Sequence, residues 1–62
     1  MSFLPMKWDA AMATAYYEQG YRAGRTLPAW KVRPLEEVAC RDGYCDCFRE
    51  GYYQGYSERD RR

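Results

Sequence analysis

The chain reads as all-α: a small helical hairpin of two main helices, the second continuous or broken near Gly43. Three observations predict this. Two Gly-Tyr stretches, Glu18-Gln19-Gly20-Tyr21-Arg22-Ala23-Gly24-Arg25 and Arg49-Glu50-Gly51-Tyr52-Tyr53-Gln54-Gly55-Tyr56, each set two glycines four apart with a tyrosine directly after the first. Residues four apart stack on one helix face, so each stretch offers a strip of bare backbone edged by phenol rings. Second, Trp8, Met12, Ala15 and Gln19 follow one helical row, and Ala13, Tyr17, Gly20, Tyr21 and Gly24 the next. Third, Pro28 and Pro34 punctuate the chain between the stretches, so antiparallel docking would bring the stretches face to face.

Glycine inside a helix costs about 1 kcal/mol relative to alanine, and two per helix require a reason. Close approach supplies one, because without a Cβ two helices cross with their backbones nearly touching. Gly20, Gly24, Gly51 and Gly55 are therefore the expected crossing points. The alternative for the first stretch is a helix that ends at Gly24 through a glycine C-cap. The motif is familiar from membranes, but neither flank is apolar for long enough to span one.

In chain order, residues 1–6 form an extended lead, since Pro5 biases Leu4 away from helix, and Phe3 and Leu4 tuck against the body. The first helix covers 7–25, with Asp9 in its first turn, several alanines, and a Glu18–Arg22 pair in the favourable i,i+4 order. Residues 26–33 form an extended connector between two prolines, with Leu27 and Trp30 covering one side of the helix pair. Pro34 suits a first helical position, followed by Glu36 and Glu37 where carboxylates complement the dipole. The region 34–59 is then one helix, or a short helix to 41, a turn at Asp42-Gly43 and a third helix from about 44. Asp-Gly is a strong turn pair and favours the break. Residues 60–62 form a cationic tail.

Sixty-two residues make one domain with a thin core, since a chain this short buries only about 60% of the surface its unfolded form exposes. Aromatics are 18% of the chain and include seven tyrosines, so large rings supply what scarce aliphatics do not. Such a chain gains from a partner, either a second copy or a target. Ten basic and nine acidic groups interleave, which argues against binding driven mainly by phosphate neutralisation. The N-terminus has neither the basic leader nor the apolar stretch of a signal peptide, and the expected localisation is cytoplasmic.

There is no histidine, which removes the commonest general base and the His-paired nucleophiles. The two serines, Ser2 and Ser57, lack a nucleophile-elbow context, and neither glycine pair lies between a strand and a helix as phosphate loops do. The chain is read as non-enzymatic, with no cofactor.

Cys40, Cys45 and Cys47 have the spacing C-x₄-C-x-C, one thiol short of a usual four-ligand zinc set. An odd count argues for reduced thiols. As one helix the segment would hold Cys40 and Cys47 roughly 10 Å apart in rise, too far to bridge. Free thiols packing as small hydrophobes are the favoured reading; a metal or redox site completed by Asp42, Asp46 or a second chain is the other.

Seven tyrosines cannot all enter so small a core. Tyr, Trp and Arg are the residues that dominate interface hot spots, so Tyr17, Tyr21, Arg22, Arg25, Trp30, Arg49, Tyr52, Tyr53 and Tyr56 are the expected partner-binding set. The expected partner is a protein or ribonucleoprotein assembly; an rRNA contact and a homodimer both stay open.

At Gln19-Gly20-Tyr21-Arg22-Ala23-Gly24 the chain resembles the first-helix signature of the ribosome modulation factor family and its small relatives. Phe48-Arg49-Glu50-Gly51-Tyr52 is similar to the aromatic, two residues, Gly, aromatic pattern of that family's second helix. The likeness covers about twenty residues in a matching helix-connector-helix order. It implies a two-helix protein that docks on the bacterial ribosome and silences it. The first functional expectation is thus a small binding protein that modulates a large assembly. A virus- or mobile-element-encoded inhibitor of a host protein, such as a CRISPR-Cas effector, is the second, and a metal-binding or thiol-redox miniprotein the third.

Overall fold

A computed structural model describes residues 9–60. It contains three helices, α1 (Ala10–Thr26), α2 (Ala29–Arg41) and α3 (Cys45–Asp60), and no strand among the described residues. The expected lead with Phe3 and Leu4, the start of the first helix at Lys7, and the Arg61-Arg62 end of the tail lie outside the described residues.

The first helix begins at Ala10 because Asp9 caps it: its backbone is extended and its carboxylate accepts from the Ala11 N–H at 3.0 Å. An N-cap acceptor of this kind satisfies one of the four donors that a helix start leaves unpaired. Gly24 does not terminate α1, which runs on to Thr26 and ends at the extended Leu27. The Glu18–Arg22 pair is not among the ion pairs of the described residues, which are Arg25–Glu58 and Arg49–Glu36.

The expected extended connector over 26–33 shrinks to Leu27 and Pro28, because α2 starts at Ala29. Pro28 stands at the N-cap, where its carbonyl accepts from Lys31 N at 2.9 Å and Val32 N at 3.3 Å. Proline is tolerated at such a start because its ring holds φ at a value that an extended cap residue adopts without strain. Pro34 therefore falls inside α2 instead of opening it. Trp30 does not cover the helix pair; only Leu27 packs there.

Helix α2 stops in a glycine-capped corner. Gly43 has φ 92°, and the N–H groups of Gly43 and Tyr44 return to the carbonyls of Cys40 (3.1 Å) and Ala39 (2.8 Å). This is the Schellman pattern, which uses a left-handed glycine to satisfy the last carbonyls of a helix. Of the two readings of 34–59, the break at Asp42-Gly43 is the one present.

The largest correction is one of direction. Gly20 sits against Phe48 and Tyr52, and Gly24 against Tyr52 and Tyr56. Residue numbers rise together along both helices, so α1 and α3 are parallel and not the two arms of an antiparallel hairpin. Helix α2 is the reason: it carries the chain back, so that α3 starts beside the start of α1, where the Asp9 N–H donates to the Tyr44 hydroxyl at 2.9 Å. The fold is three helices, with the α1–α3 pair as its dominant interface. On one side of that pair α2 adds Val32 and Ala39 to Ala23 and Phe48, with Tyr16, Leu27, Leu35 and Tyr52 packed around them. Phe48, 1% exposed, is the largest fully buried side chain among the described residues.

Candidate functional site

The four predicted crossing glycines meet in one seam. A Cβ on Gly20 would lie 2.2 Å from the Phe48 carbonyl oxygen, and one on Gly24 2.3 Å from that of Tyr52. On the other helix, a Cβ on Gly51 would meet the Tyr17 carbonyl oxygen at 2.0 Å and one on Gly55 that of Tyr21 at 2.1 Å. The obstacles are backbone atoms, so no rotamer change relieves them. A shift of 31 residues takes Gly20, Tyr21 and Gly24 to Gly51, Tyr52 and Gly55. The contacts obey the same shift, so the two helices are related by a local pseudo-twofold axis running along the seam.

Each end of the seam is closed by polar side chains. At the first end Tyr44 is buried, stacks on Tyr16 with ring centroids 5.4 Å apart, and the Tyr16 hydroxyl donates to Asp42 at 2.6 Å. That hydrogen bond to a carboxylate raises the Tyr16 pKa above its ordinary value, with desolvation and the Asp42 and Tyr44 charges adding to the shift.

At the other end the Tyr21 hydroxyl donates to Glu58, and Arg25 reaches both, at 3.2 Å to Tyr21 and 3.3 Å to Glu58. The bond to Tyr21 is the first cause holding the Arg25 guanidinium above its usual range. Arg59 donates to the carbonyls of Gly24 at 3.0 Å and Leu27 at 3.3 Å and lies over the Tyr56 ring at 5.5 Å. Its role follows from the sequence: the Gly24 carbonyl would bond the N–H four residues on, but that residue is Pro28, which has none. Arg59 supplies the missing donor.

These contacts divide the predicted partner-binding set. Tyr21, Arg25 and Tyr52 are committed to the fold, and Arg49 is tied to Glu36 at 2.7 Å. Trp30, Tyr53 and Tyr56 are 72%, 66% and 50% exposed, and Tyr17 and Arg22 are also exposed. Trp30 lies in the first turn of α2, three residues beyond the Leu27 carbonyl that Arg59 holds, and Tyr56 lies under Arg59. Trp30 and Tyr56 thus mark the end of the molecule where α1 finishes, α2 begins and α3 finishes, whereas Tyr17 and Tyr53 lie midway along α1 and α3. Next to that end, a groove of about 410 Å³ runs between α1 and α2, lined by Ala15, Gln19, Arg22, Thr26, Leu27 and Leu35 among others.

The cysteines correct an expectation. Cys40 and Cys45 are joined in a disulfide and only Cys47 is a free thiol. The odd count predicts reduced thiols, but the Gly43 corner folds the chain back and sets Cys45 beside Cys40, leaving Cys47 as the third. Glu36, one helical turn before Cys40, faces the same place: its carboxylate and the two sulfurs lie within 4.8 Å of one another. Arg59 and Glu58 were not singled out as site residues in the sequence, and Glu36 stood out only as a first-turn carboxylate, whereas α2 has no acidic residue in its first turn. For Arg59 the available signal was Pro28 four residues after Gly24; for Glu36 it was the i,i+4 relation to Cys40.

No helix among the described residues is long and apolar enough to cross a membrane. No protein-family model, curated protein or solved structure matches the chain. The class that fold and surface define is thus a small all-α protein with a glycine-seamed helix pair and exposed aromatic residues.

Proposed function

We propose that this is a non-enzymatic binding protein that docks through its exposed aromatic residues onto a large macromolecular assembly and inhibits or modulates it. The observation that carries this reading is the exposure of Trp30, Tyr53 and Tyr56 beside a core that closes without them. Large rings left in water have high potential as contact area, and Trp and Tyr are the residues around which interface energy concentrates. Arg22 and Arg33 form no ion pair among the described residues, and Arg33 follows Trp30 by three residues on α2, which leaves cations available near that ring. Aromatic faces that stack unpaired bases, flanked by guanidinium groups for phosphates, suit a ribonucleoprotein surface. The resemblance at Gly20-Tyr21-Arg22-Ala23-Gly24 nominates the ribosome.

Co-sedimentation with bacterial ribosomes tests this. The intact chain is expected to pellet with ribosomes at low and moderate salt, and Trp30→Ala with Tyr53→Ala to release it without loss of helicity. A chain that stays in the supernatant at every salt concentration, or a double variant that pellets as well as the intact protein, would overturn the ribosomal reading. Capture of one stoichiometric protein by the same aromatic residues would instead favour an inhibitor of that protein.

A further inference from the structure

We propose that, once the Cys40–Cys45 disulfide is reduced, Glu36, Cys40 and Cys45 form a thiolate-carboxylate site for a zinc-class divalent cation. The α2–α3 corner would then exist in two interchangeable forms, one bridged by sulfur and one by metal. This inference does not rest on the docking function.

Three features point to it. The donor atoms of Glu36, Cys40 and Cys45 already lie within 4.8 Å of one another. Around a tetrahedral metal with bonds of about 2.0–2.3 Å, donors stand roughly 3.3–3.8 Å apart, so closing the site asks for side-chain rotation and no rearrangement of the helices. The backbone holds the donors in place: Glu36 and Cys40 are one turn apart on α2, and the left-handed Gly43 returns the chain so that Cys45 opens α3 beside them. Lastly, Glu36 is oriented from behind, because Arg49 donates to its Oε2 at 2.7 Å. Carboxylates that bind metals are commonly held by such an outer hydrogen bond. Two thiolates and one carboxylate suit zinc better than calcium or magnesium, and water completes the fourth position.

The chemistry balances. A dithiol reductant attacks the disulfide, its own two sulfurs become a disulfide, and Cys40 and Cys45 leave as two thiols. The cation then displaces both thiol protons to solvent and forms two metal–sulfur bonds and one metal–oxygen bond. Cys47 takes no part. Asp42 is occupied by the Tyr16 hydroxyl, and Asp46, in the first turn of α3, is not among the clustered donors.

The test uses the full chain reduced with a phosphine and titrated with Co²⁺, followed by Zn²⁺. One equivalent of Co²⁺ should produce sulfur-to-metal charge-transfer absorption that Zn²⁺ abolishes, and the oxidised chain should show none. Glu36→Gln should weaken binding by at least the roughly 10–100-fold that loss of an outer-shell partner alone costs, and Cys47→Ser should leave it unchanged. Without any substitution, bound Zn²⁺ should protect Cys40 and Cys45 from alkylation while Cys47 still reacts, read by peptide mass. Absence of the absorption, equal binding by Glu36→Gln, or protection of Cys47 in place of the other two would each overturn the site.

Discussion

The seam between α1 and α3 and the layer contributed by α2 are both helix-on-helix contacts, yet they are held by opposite means. In the seam, backbone meets backbone, and glycine is used because a single methyl group at Gly51 would fall 2.0 Å from a carbonyl oxygen. In the α2 layer, side chains meet side chains: Val32, Leu35 and Ala39 against Ala23, Phe48 and Tyr52. Each layer also carries residues that helix propensity disfavours, glycines in one and Pro34 in the other. The glycines are required by the contact they make, whereas Pro34 is exposed and meets no such requirement. Poor helix formers thus have two different meanings in one small molecule.

Replacing each of them by alanine breaks the comparison open, because propensity improves at both sites and the outcomes should have opposite signs. At Gly51, alanine gains about 1 kcal/mol of helix propensity but forces the helices apart against rigid backbone, an overpacking cost of about 3 kcal/mol or more. The net loss of about 2 kcal/mol corresponds to a fall in Tm of about 8–16 °C for a domain of this size, measured by thermal circular dichroism. Total stability here is only roughly 3–9 kcal/mol, so Gly20→Ala with Gly51→Ala, at about 4 kcal/mol if the two add, should remove a large share of it and lower Tm further than either change alone. An unchanged Tm for Gly51→Ala would mean that the helices do not cross at this seam.

At Pro34 the sign reverses. A helix-interior proline costs about 3 kcal/mol relative to alanine, of which up to about 1 kcal/mol is recovered through a stiffer unfolded chain. Pro34→Ala should therefore stabilise the protein by about 2 kcal/mol as the Trp30 carbonyl regains its N–H partner. Denaturant unfolding measures this, and a loss of stability would show that α2 needs the kink.

These two sites also show what was legible in the sequence. Gly-x-x-x-Gly spacing is local, and it marks a close-approach face wherever a helix forms, so Gly20, Gly24, Gly51 and Gly55 were readable one by one. Direction was not readable, because it depends on what the connector does. Two prolines suggested an extended strap, but Pro28 can open a helix and Pro34 can be carried inside one when Val32 and Ala39 have a core to enter. Once the connector is a helix the chain reverses twice, and the glycine pairs meet in parallel. The disulfide was hidden for another reason: the odd number of cysteines suggested reduced thiols, and the spacing weighed was that of Cys40 and Cys47, not that of Cys40 and Cys45 across the Gly43 corner. The surface set was half legible. Residue type nominated Tyr and Arg, but only the tertiary contacts separate Tyr21 and Arg25, which hold one end of the seam with Glu58, from Trp30 and Tyr53, which are left over.

A smaller effect sharpens the contrast at the far end of the seam. Arg59 offers the Gly24 carbonyl a donor that Pro28 withholds, and it joins the end of α3 to the end of α1. Arg59→Met removes both of these hydrogen bonds and should cost about 1–2 kcal/mol, each being worth about 0.5–1.5 kcal/mol net. It should also raise amide exchange in the last turn of α1 while leaving Gly20 and its neighbours protected. Uniform loosening along the whole seam would show instead that the end contact controls the crossing.

The smallest effect concerns the edge where α1 meets the α2–α3 corner, and it appears only at high pH. Tyr16 on α1 donates to Asp42 beyond the end of α2, and this bond keeps its hydroxyl protonated above the ordinary value of about 10. The unfolded chain therefore releases this proton first as pH rises. The stabilisation is fully present below about pH 10 and is lost as pH climbs through the raised folded value. Every tyrosine titrates in this range, so a single pH profile is uninformative, but the difference between the intact protein and Tyr16→Phe isolates the one hydroxyl. That difference in unfolding free energy should hold steady from about pH 7 to 9 and shrink above about pH 10. Parallel profiles through that range would mean that the Tyr16–Asp42 bond does not couple α1 to the corner, leaving ring stacking with Tyr44 as what joins them.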